Sequence, residues 1–83
     1  MRSNKKGYIR AIEIAANAEE RFLKAMEKHQ AFADDRALSE KHHQIEVQPA
    51  AAEACAQQSL IAELFGVSEE KVHEDITRLL ADR

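Results

Sequence analysis

The longest stretch of this chain without a helix breaker sets its architecture. Residues 8–48 contain no glycine and no proline, and apolar side chains recur there at the three- and four-residue spacing of an α-helix. We therefore predict a long helical segment over residues 8–45. A continuous helix of about 38 residues would be about 57 Å long, which is too long for a compact monomer of this size. The segment must break, or it must pack along a second chain.

The acidic sequence around residues 34–39 is where we expect such a break. Asp34, Asp35 and Ser39 carry short polar side chains that bond to nearby backbone groups and favour helix ends over helix interiors. Asp35 is placed to cap a new helix. The sequence alone leaves open whether the segment forms one helix or two.

A second boundary is predicted at residues 45–49. Gln48 precedes Pro49, and a proline ring disfavours the helical conformation of the residue before it. We expect a short linker there, followed by a two-helix unit over residues 49–83.

The two helices of that unit have clear end signals. Gly66 suits the left-handed position that ends a helix, and Ser68 is a favourable N-cap for the next one. Few glycines, one proline and abundant Ala, Glu, Leu and Lys are typical of a helical protein. We therefore expect one small all-α domain over residues 1–83, with no sheet.

The small size makes support from another chain plausible. A chain of 83 residues buries only about 60% of its unfolded surface, and Cys55 is the only cysteine, so no internal disulfide can form. We predict a homodimer built on the long helical segment. The alternative is that the same apolar face packs on the chain's own C-terminal helices. The predicted self-association face consists of Tyr8, Ile12, Ala15, Phe22, Met26 and Phe32.

Charge is distributed unevenly along the chain. The net charge is −3, yet the first ten residues carry four bases and no acid. A nucleic-acid-binding domain is usually basic as a whole or along one stripe. Here only residues 1–7 and their neighbours are basic, and we predict that residues 1–7 form a flexible arm. Such an arm can contact phosphates, or it can be a solvated tail.

Residues 59–80, SLIAELFGVSEEKVHEDITRLL, have the spacing of a helix-turn-helix. This stretch resembles the helix-turn-helix of DeoR-type bacterial transcription regulators. A small residue lets the two helices cross, a glycine takes the turn, and branched residues fill the space between them. The positions that carry the resemblance are Ala62, Gly66, Val67, Val72, Asp75 and Ile76.

The resemblance implies DNA contacts from the second helix, with additional phosphate contacts from the N-terminal arm. The candidate DNA contacts are Lys71, His73, Thr77, Arg78, Arg2, Lys5 and Lys6. The chain departs from the family pattern at His73 and Glu74, where arginines are usual, and we predict no wing after the second helix. Most affinity for DNA comes from Lys and Arg contacts to phosphates, which these departures weaken.

Metal binding and catalysis have little support in the sequence. His42 and His43 are adjacent and point about 100° apart on a helix, so they cannot chelate from one face. No metal-ligand motif, phosphate loop or paired nucleophile and base is present. We expect no cofactor, no metal and no enzymatic activity. We also expect His42 and His43 to face solvent, and Cys55 to be a small buried residue.

These observations favour a small non-catalytic regulatory protein that binds another protein, as an inhibitor, antagonist or adaptor. Phage-type antagonists of host systems are similar in size and charge. The alternative is a helix-turn-helix transcription regulator.

With no signal peptide or apolar span in the sequence, we expect a soluble cytoplasmic protein. The acids can also be an ordinary solvated face. The candidate acidic face for a protein partner consists of Glu19, Glu20, Asp34, Asp35, Glu74 and Asp75.

Overall fold

A computed structural model describes residues 5–83, which form helices and no strand. The four α-helices are α1 (Lys5–Gln30), α2 (Arg36–His42), α3 (Gln48–Phe65) and α4 (Glu69–Ala81). A π-helical turn, His43–Val47, connects α2 to α3. The predicted all-α class is confirmed.

The long helical segment is broken, a point that the sequence left open. Helix α1 ends at Gln30, and residues 31–34 form a turn. Asp35 then caps α2, because its Oδ1 accepts a hydrogen bond from the Leu38 N–H at 3.1 Å. The prediction of a flexible arm through residue 7 is wrong for residues 5–7, which form the first turn of α1.

The predicted linker at residues 45–49 is wrong. Gln48 has helical dihedral angles (φ −61°, ψ −47°), and its N–H donates to the His43 carbonyl five residues earlier. A proline in a helix lacks an N–H donor, and its ring meets the carbonyl one turn before it. The wider π-helical turn moves that carbonyl away from Pro49, so the chain remains helical from residue 36 to residue 65.

Two long helical arms, α1 and the continuous helix from residue 36 to residue 65, form an antiparallel hairpin. Tyr8 near the start of α1 meets Phe65 at the end of α3, with ring centroids 5.3 Å apart. In the middle, Arg21 pairs with Glu53 at 2.6 Å. We call the end with the turn at residues 31–34 the closed end, and the end with Tyr8 the open end. Helix α4 packs against both arms at the open end.

Small side chains on α1 let the helices come close together. Ala15, Ala16 and Ala18 are at most 1% exposed. Alanines at this spacing suit an antiparallel helix pair, and the pair here lies within one chain. The core at this end consists of Ile12, Ala15, Ala16, Ile61, Val72 and Ile76.

The predicted self-association face is divided by this packing. Tyr8, Ile12 and Ala15 lie against the chain's own C-terminal helices, which was the alternative reading of that face. Phe22 and Phe32 are half-buried, and Met26 remains 39% exposed. Only the part of the face near the closed end is therefore open to another molecule.

The molecule is elongated. Its dimensions are 52 × 24 × 17 Å, and its radius of gyration is 14.9 Å, whereas about 12 Å is expected for a compact domain of 83 residues. The chain exposes 6251 Å², about 1,200 Å² more than the roughly 5,000 Å² of a typical 9.4 kDa monomer. The hairpin is long and α4 covers only one end of it, so much of its length is exposed.

Gly66 offers a direct test of the turn before α4. Its φ is +64°, and no atom lies within 4 Å of the place where a Cβ would be added. A substitution there therefore meets backbone strain and no steric clash. We expect Gly66→Ala to lower the free energy of unfolding by about 1 kcal/mol. Gly66→Asn should cost less, because asparagine tolerates this conformation better.

Chemical denaturation followed by circular dichroism gives both values. Equal losses for Gly66→Ala and Gly66→Asn would contradict a left-handed position that limits stability.

Candidate functional site

The connection between α3 and α4 holds the candidate site in place. The N–H groups of Gly66 and Val67 both donate to the Ala62 carbonyl, which closes the end of α3. The Ser68 Oγ accepts a hydrogen bond from the Lys71 N–H at 3.1 Å and so caps α4. Val72 is then fully buried. The predicted end signals at Gly66 and Ser68 are confirmed.

A hydrogen bond between Tyr8 and Asp75 fastens α4 to α1. The Tyr8 hydroxyl donates to Asp75 Oδ2 at 2.6 Å, across 67 residues of sequence. Partial burial and the adjacent Asp75 carboxylate raise the pKa of Tyr8 to about 12. The pKa of Asp75 is lowered, first by the Tyr8 hydroxyl and then by Lys71 and Arg78, against the opposing effect of desolvation.

The two cations of α4 that could contact DNA both lie at Asp75. Lys71 Nζ is 3.3 Å from Asp75 Oδ2, and Arg78 Nη1 is 3.7 Å from Oδ1. His73 and Thr77 are exposed on α4. Lys5 and Lys6 are exposed on α1, whereas Arg2 lies outside the described residues. The candidate DNA contacts are thus distributed over two helices, and their charge on α4 is partly neutralised.

An acidic groove runs beside these cations, between α3 and α4. Ser59 Oγ donates to Glu69 Oε1 at 2.7 Å, which holds that carboxylate at the groove. A phosphate backbone brought to this groove would meet carboxylates on both sides of His73. The groove is lined by Gln58, Glu69, Glu70, His73 and Glu74.

The acids proposed as one partner face do not form one surface. Asp34 and Asp35 lie at the closed end, whereas Glu74 and Asp75 belong to α4 at the open end. Glu20 is paired with Arg83 at 2.9 Å and with Lys24 at 3.3 Å, and hydrogen bonds from these two cations lower its pKa. Glu19 is half-buried. The six acids are therefore distributed over both ends of the hairpin, and a contact through them stays a prediction.

A histidine cluster lies at the closed end, where the sequence predicted solvent-facing side chains. His42 is 8% exposed, so that prediction is wrong for His42, while His43 is exposed. The Nδ1 atoms of His29 and His42 are 3.2 Å apart, so one donates and the other accepts. The Phe32 ring covers His42 at a centroid distance of 5.1 Å. The π-helical turn, which helical periodicity does not predict, begins directly after His42.

Glu46 completes the cluster from the π-helical turn. Its Oε2 is 2.6 Å from His42 Nε2, an ion-pair distance whose angle does not satisfy a hydrogen bond. Desolvation acts to raise the pKa of Glu46, but His42 and Lys28 together lower it. Within residues 5–83, no group of three or more His, Cys, Asp or Glu side chains is arranged to hold a metal ion.

Apart from Met26, the large apolar side chains on the surface were not among the candidate residues identified from the sequence. Cys55, expected to be buried, is exposed. The described residues bury five large aliphatic side chains, namely Ile12, Val47, Ile61, Val72 and Ile76. They expose eight large apolar ones, namely Ile9, Ile14, Leu23, Met26, Leu38, Ile45, Leu60 and Leu64. The described residues therefore expose eight large apolar side chains and bury five, while others are partly buried against the core.

Part of this exposed surface continues the stripe that α4 covers. Leu23 lies seven residues after Ala16, and Met26 lies fourteen after Ile12, so each points to nearly the same side of α1 as the earlier residue. Arg83, at the end of α4, reaches only to Glu20. Leu23 and Met26, which we call the uncovered stripe, therefore lie beyond the helix that buries the rest of this side.

Comparison with known proteins adds no relative. No family model, no curated protein and no solved structure matches the chain.

No helix in the described part of the chain is both long enough and apolar enough to cross a membrane.

The Tyr8–Asp75 hydrogen bond predicts that the stability of the fold depends on pH in the alkaline range. Tyr8 is the only tyrosine and the chain has no tryptophan, so ultraviolet absorbance of the phenolate reports Tyr8 alone. Because the folded pKa is raised from 10.0 to about 12, the stabilisation is complete below pH 10 and is lost as pH rises from 10 towards 12. We expect the Tyr8 phenol to titrate at a clearly higher pH in the native protein than in the denatured protein. A native midpoint near 10 would contradict the bond.

In the acidic range the dependence of stability on pH has the opposite sign. The folded pKa of Asp75 is lowered from 3.8, so its stabilisation is present above that pH and is lost as pH falls below it. Tyr8→Phe should lower the free energy of unfolding at pH 7 by about 1 to 2 kcal/mol, since it removes a hydrogen bond to a charged group. Asp75→Asn is the matched control, and it should bring the Tyr8 titration back towards its ordinary value.

Proposed function

We propose that the chain is a small non-catalytic regulatory protein that acts in the cytoplasm by binding another protein. The observation that carries this proposal is that the described residues expose more large apolar side chains than they bury. Isolated exposed apolar residues are normal, but grouped ones on an elongated small domain mark binding surfaces. Inhibitor and adaptor are two forms of this function, and both act by occupying a surface of the partner.

The uncovered stripe is the best-supported contact for the target protein. Leu23 is 49% exposed and Met26 is 39% exposed, on the same side of α1 on which α4 buries Ile12. An amphipathic helix of a partner, laid in line with α4, would cover them in the same way. Leu38 and Ile45, exposed on the other arm near the closed end, could extend the contact. Apolar anchors of this kind usually supply most of the binding energy of an interface.

Self-association belongs to the same proposal. The excess surface of about 1,200 Å² is larger than the roughly 800 Å² that each partner buries in a typical stable complex. A homodimer is therefore compatible with the available surface, although the originally predicted face is half occupied by α4.

DNA binding is a second candidate, favoured by the tight α3–α4 connection through Gly66 and Ser68. Two observations weigh against it. Lys71 and Arg78 are both drawn onto Asp75, and the adjoining groove is lined by Glu69, Glu70 and Glu74. Affinity for DNA depends on cations that are free to neutralise phosphates.

A cross-linking experiment tests the target surface. A photo-activatable residue at position 23 should form an adduct of one defined mass in cells, and the same residue at position 77, exposed on α4 and away from the uncovered stripe, should not. The captured protein is then purified, and its affinity for the chain is measured. Leu23→Glu/Met26→Glu should weaken that affinity by about tenfold or more.

Thr77→Glu/Gln44→Glu is the control, because it adds the same charge at two exposed polar positions. Equal losses for both double variants would show a general charge effect and would remove the uncovered stripe from the proposal.

A DNA-binding measurement separates the two candidate functions. Anisotropy of random duplex DNA and of genomic fragments should show no binding at micromolar protein and about 50 mM salt, because the candidate DNA face is acidic. Binding that is lost between about 50 and 200 mM salt, and weakened by Lys71→Ala or Arg78→Ala but not by Lys41→Ala, would instead support a transcription regulator.

A further inference from the structure

The side of the hairpin opposite α4 carries a second apolar surface. Arg21 and Glu53 bridge the two arms at 2.6 Å on this side. Nine residues, or two and a half helical turns, separate Arg21 from Ile12, so the two side chains point in opposite directions from α1. Ile12 lies in the core that α4 helps to form. The Arg21–Glu53 pair therefore marks the side that α4 does not reach.

Helical spacing places apolar residues beside that pair. Ile14 precedes Arg21 by seven residues and Leu60 follows Glu53 by seven, so both share the side of the ion pair. Because the arms are antiparallel, equal steps backward on α1 and forward on α3 arrive at the same level. Ile14 and Leu60 are thus opposite each other, with Leu64 one turn further along. We call the surface formed by Ile14, Arg21, Glu53, Leu60 and Leu64 the Ile14–Leu60 face.

These apolar side chains are substantially open. Ile14 is 44% exposed, Leu60 is 48% exposed and Leu64 is 63% exposed. They resemble one layer of a helix-bundle core that lacks its other half.

The same face has opposite charges on its two arms. The α1 arm contributes Arg21 and Lys28, and the opposite arm contributes Glu46 and Glu53. Lys28 Nζ is 3.5 Å from Glu46 Oε1, and Arg21, Lys28 and Glu46 line one shallow groove between the arms. A basic row and an acidic row therefore run side by side along the hairpin.

We propose that the Ile14–Leu60 face binds a second copy of this chain about a twofold axis parallel to the helices. Such an axis places α1 of one copy over α3 of the other at the same level, so a basic row meets an acidic row at both positions. Ile14 then packs on Leu60 of the second copy, and Leu60 on its Ile14, as an isologous interface requires. Every neighbouring helix pair is antiparallel, which is the arrangement of an up-and-down four-helix bundle.

The elongated shape leaves surface available for this occupant. The chain exposes about 1,200 Å² more than a compact monomer of its mass, and a standard interface buries about 800 Å² per partner. The interface deepens the self-association part of the proposed function. It uses none of the residues of the uncovered stripe, so a monomeric chain could still capture a target protein through Leu23 and Met26. The two proposals can therefore fail separately.

Sedimentation equilibrium from micromolar to millimolar protein tests the apolar layer. The unaltered chain should dimerise, and Ile14→Asp/Leu60→Asp should weaken dimerisation by about tenfold or more. Leu38→Asp is the matched control, because Leu38 and Leu60 are both leucines with 48% exposure. Circular dichroism confirms that each variant keeps its helices.

A monomer at every concentration would overturn the proposal. So would a dimer that survives Ile14→Asp/Leu60→Asp, or one that Leu38→Asp weakens equally.

Charge reversal tests the relative orientation of the copies. In a homodimer of Arg21→Glu, each introduced carboxylate faces Glu53 of the other copy, and Glu53→Arg places two arginines together. Each variant should therefore dimerise poorly by itself. A mixture of the two should form heterodimers, because both contacts are then between opposite charges, and native mass spectrometry distinguishes the species.

Arg36→Glu, at a 94% exposed side chain outside this face, should leave dimerisation unchanged. Because the same reversals also break the pair within each chain, an effect confined to one chain predicts equal weakening of homodimers and heterodimers. That outcome would refute the twofold arrangement.

Discussion

The close approach of α1 to its two neighbours is the constraint on which this structure depends. Ala15, Ala16 and Ala18 are almost completely buried because no larger side chain keeps the helices apart. Ile61 and Val72 fill the space that the alanines leave, and Ile76 lies beside them. A contact made by alanines is tight but contributes little apolar area, since burial free energy scales with area. The core is consequently thin, and many large apolar side chains remain outside it.

The unequal lengths of the helices determine where those outer side chains lie. Helix α1 has 26 residues and α4 has 13, so α4 covers only the open end of the hairpin. The stripe on α1 continues past the end of α4 as Leu23 and Met26. On the opposite side, no described helix covers Ile14 and Leu60. The two proposed binding surfaces are thus consequences of one short helix on a long hairpin.

Asp75 shows how a tertiary contact changes the role expected of a charged residue. In the sequence it belongs equally to a helix-turn-helix motif and to an acidic recognition face. In the structure it accepts a hydrogen bond from Tyr8 and lies near Lys71 and Arg78. One carboxylate therefore fastens α4 and occupies the two cations that DNA would need. The proposed recognition of a partner therefore depends on apolar side chains.

The sequence by itself determined the features that depend on a few neighbouring residues. The all-α class, the cap at Asp35, the left-handed Gly66 and the cap at Ser68 all follow from local backbone preferences, which act within about one helical turn. The apolar stripe on α1 was equally visible, because it depends only on helical spacing.

Only the tertiary structure decided what covers that stripe and where local preferences give way. The helix continues through Gln48 because a π-helical turn makes room for Pro49. His42 is buried and Cys55 exposed because of how the hairpin arms meet. Whether a residue is buried depends on which distant helix packs against it. Spacing therefore identified an apolar face, and the length and position of α4 decided which half of it remains open.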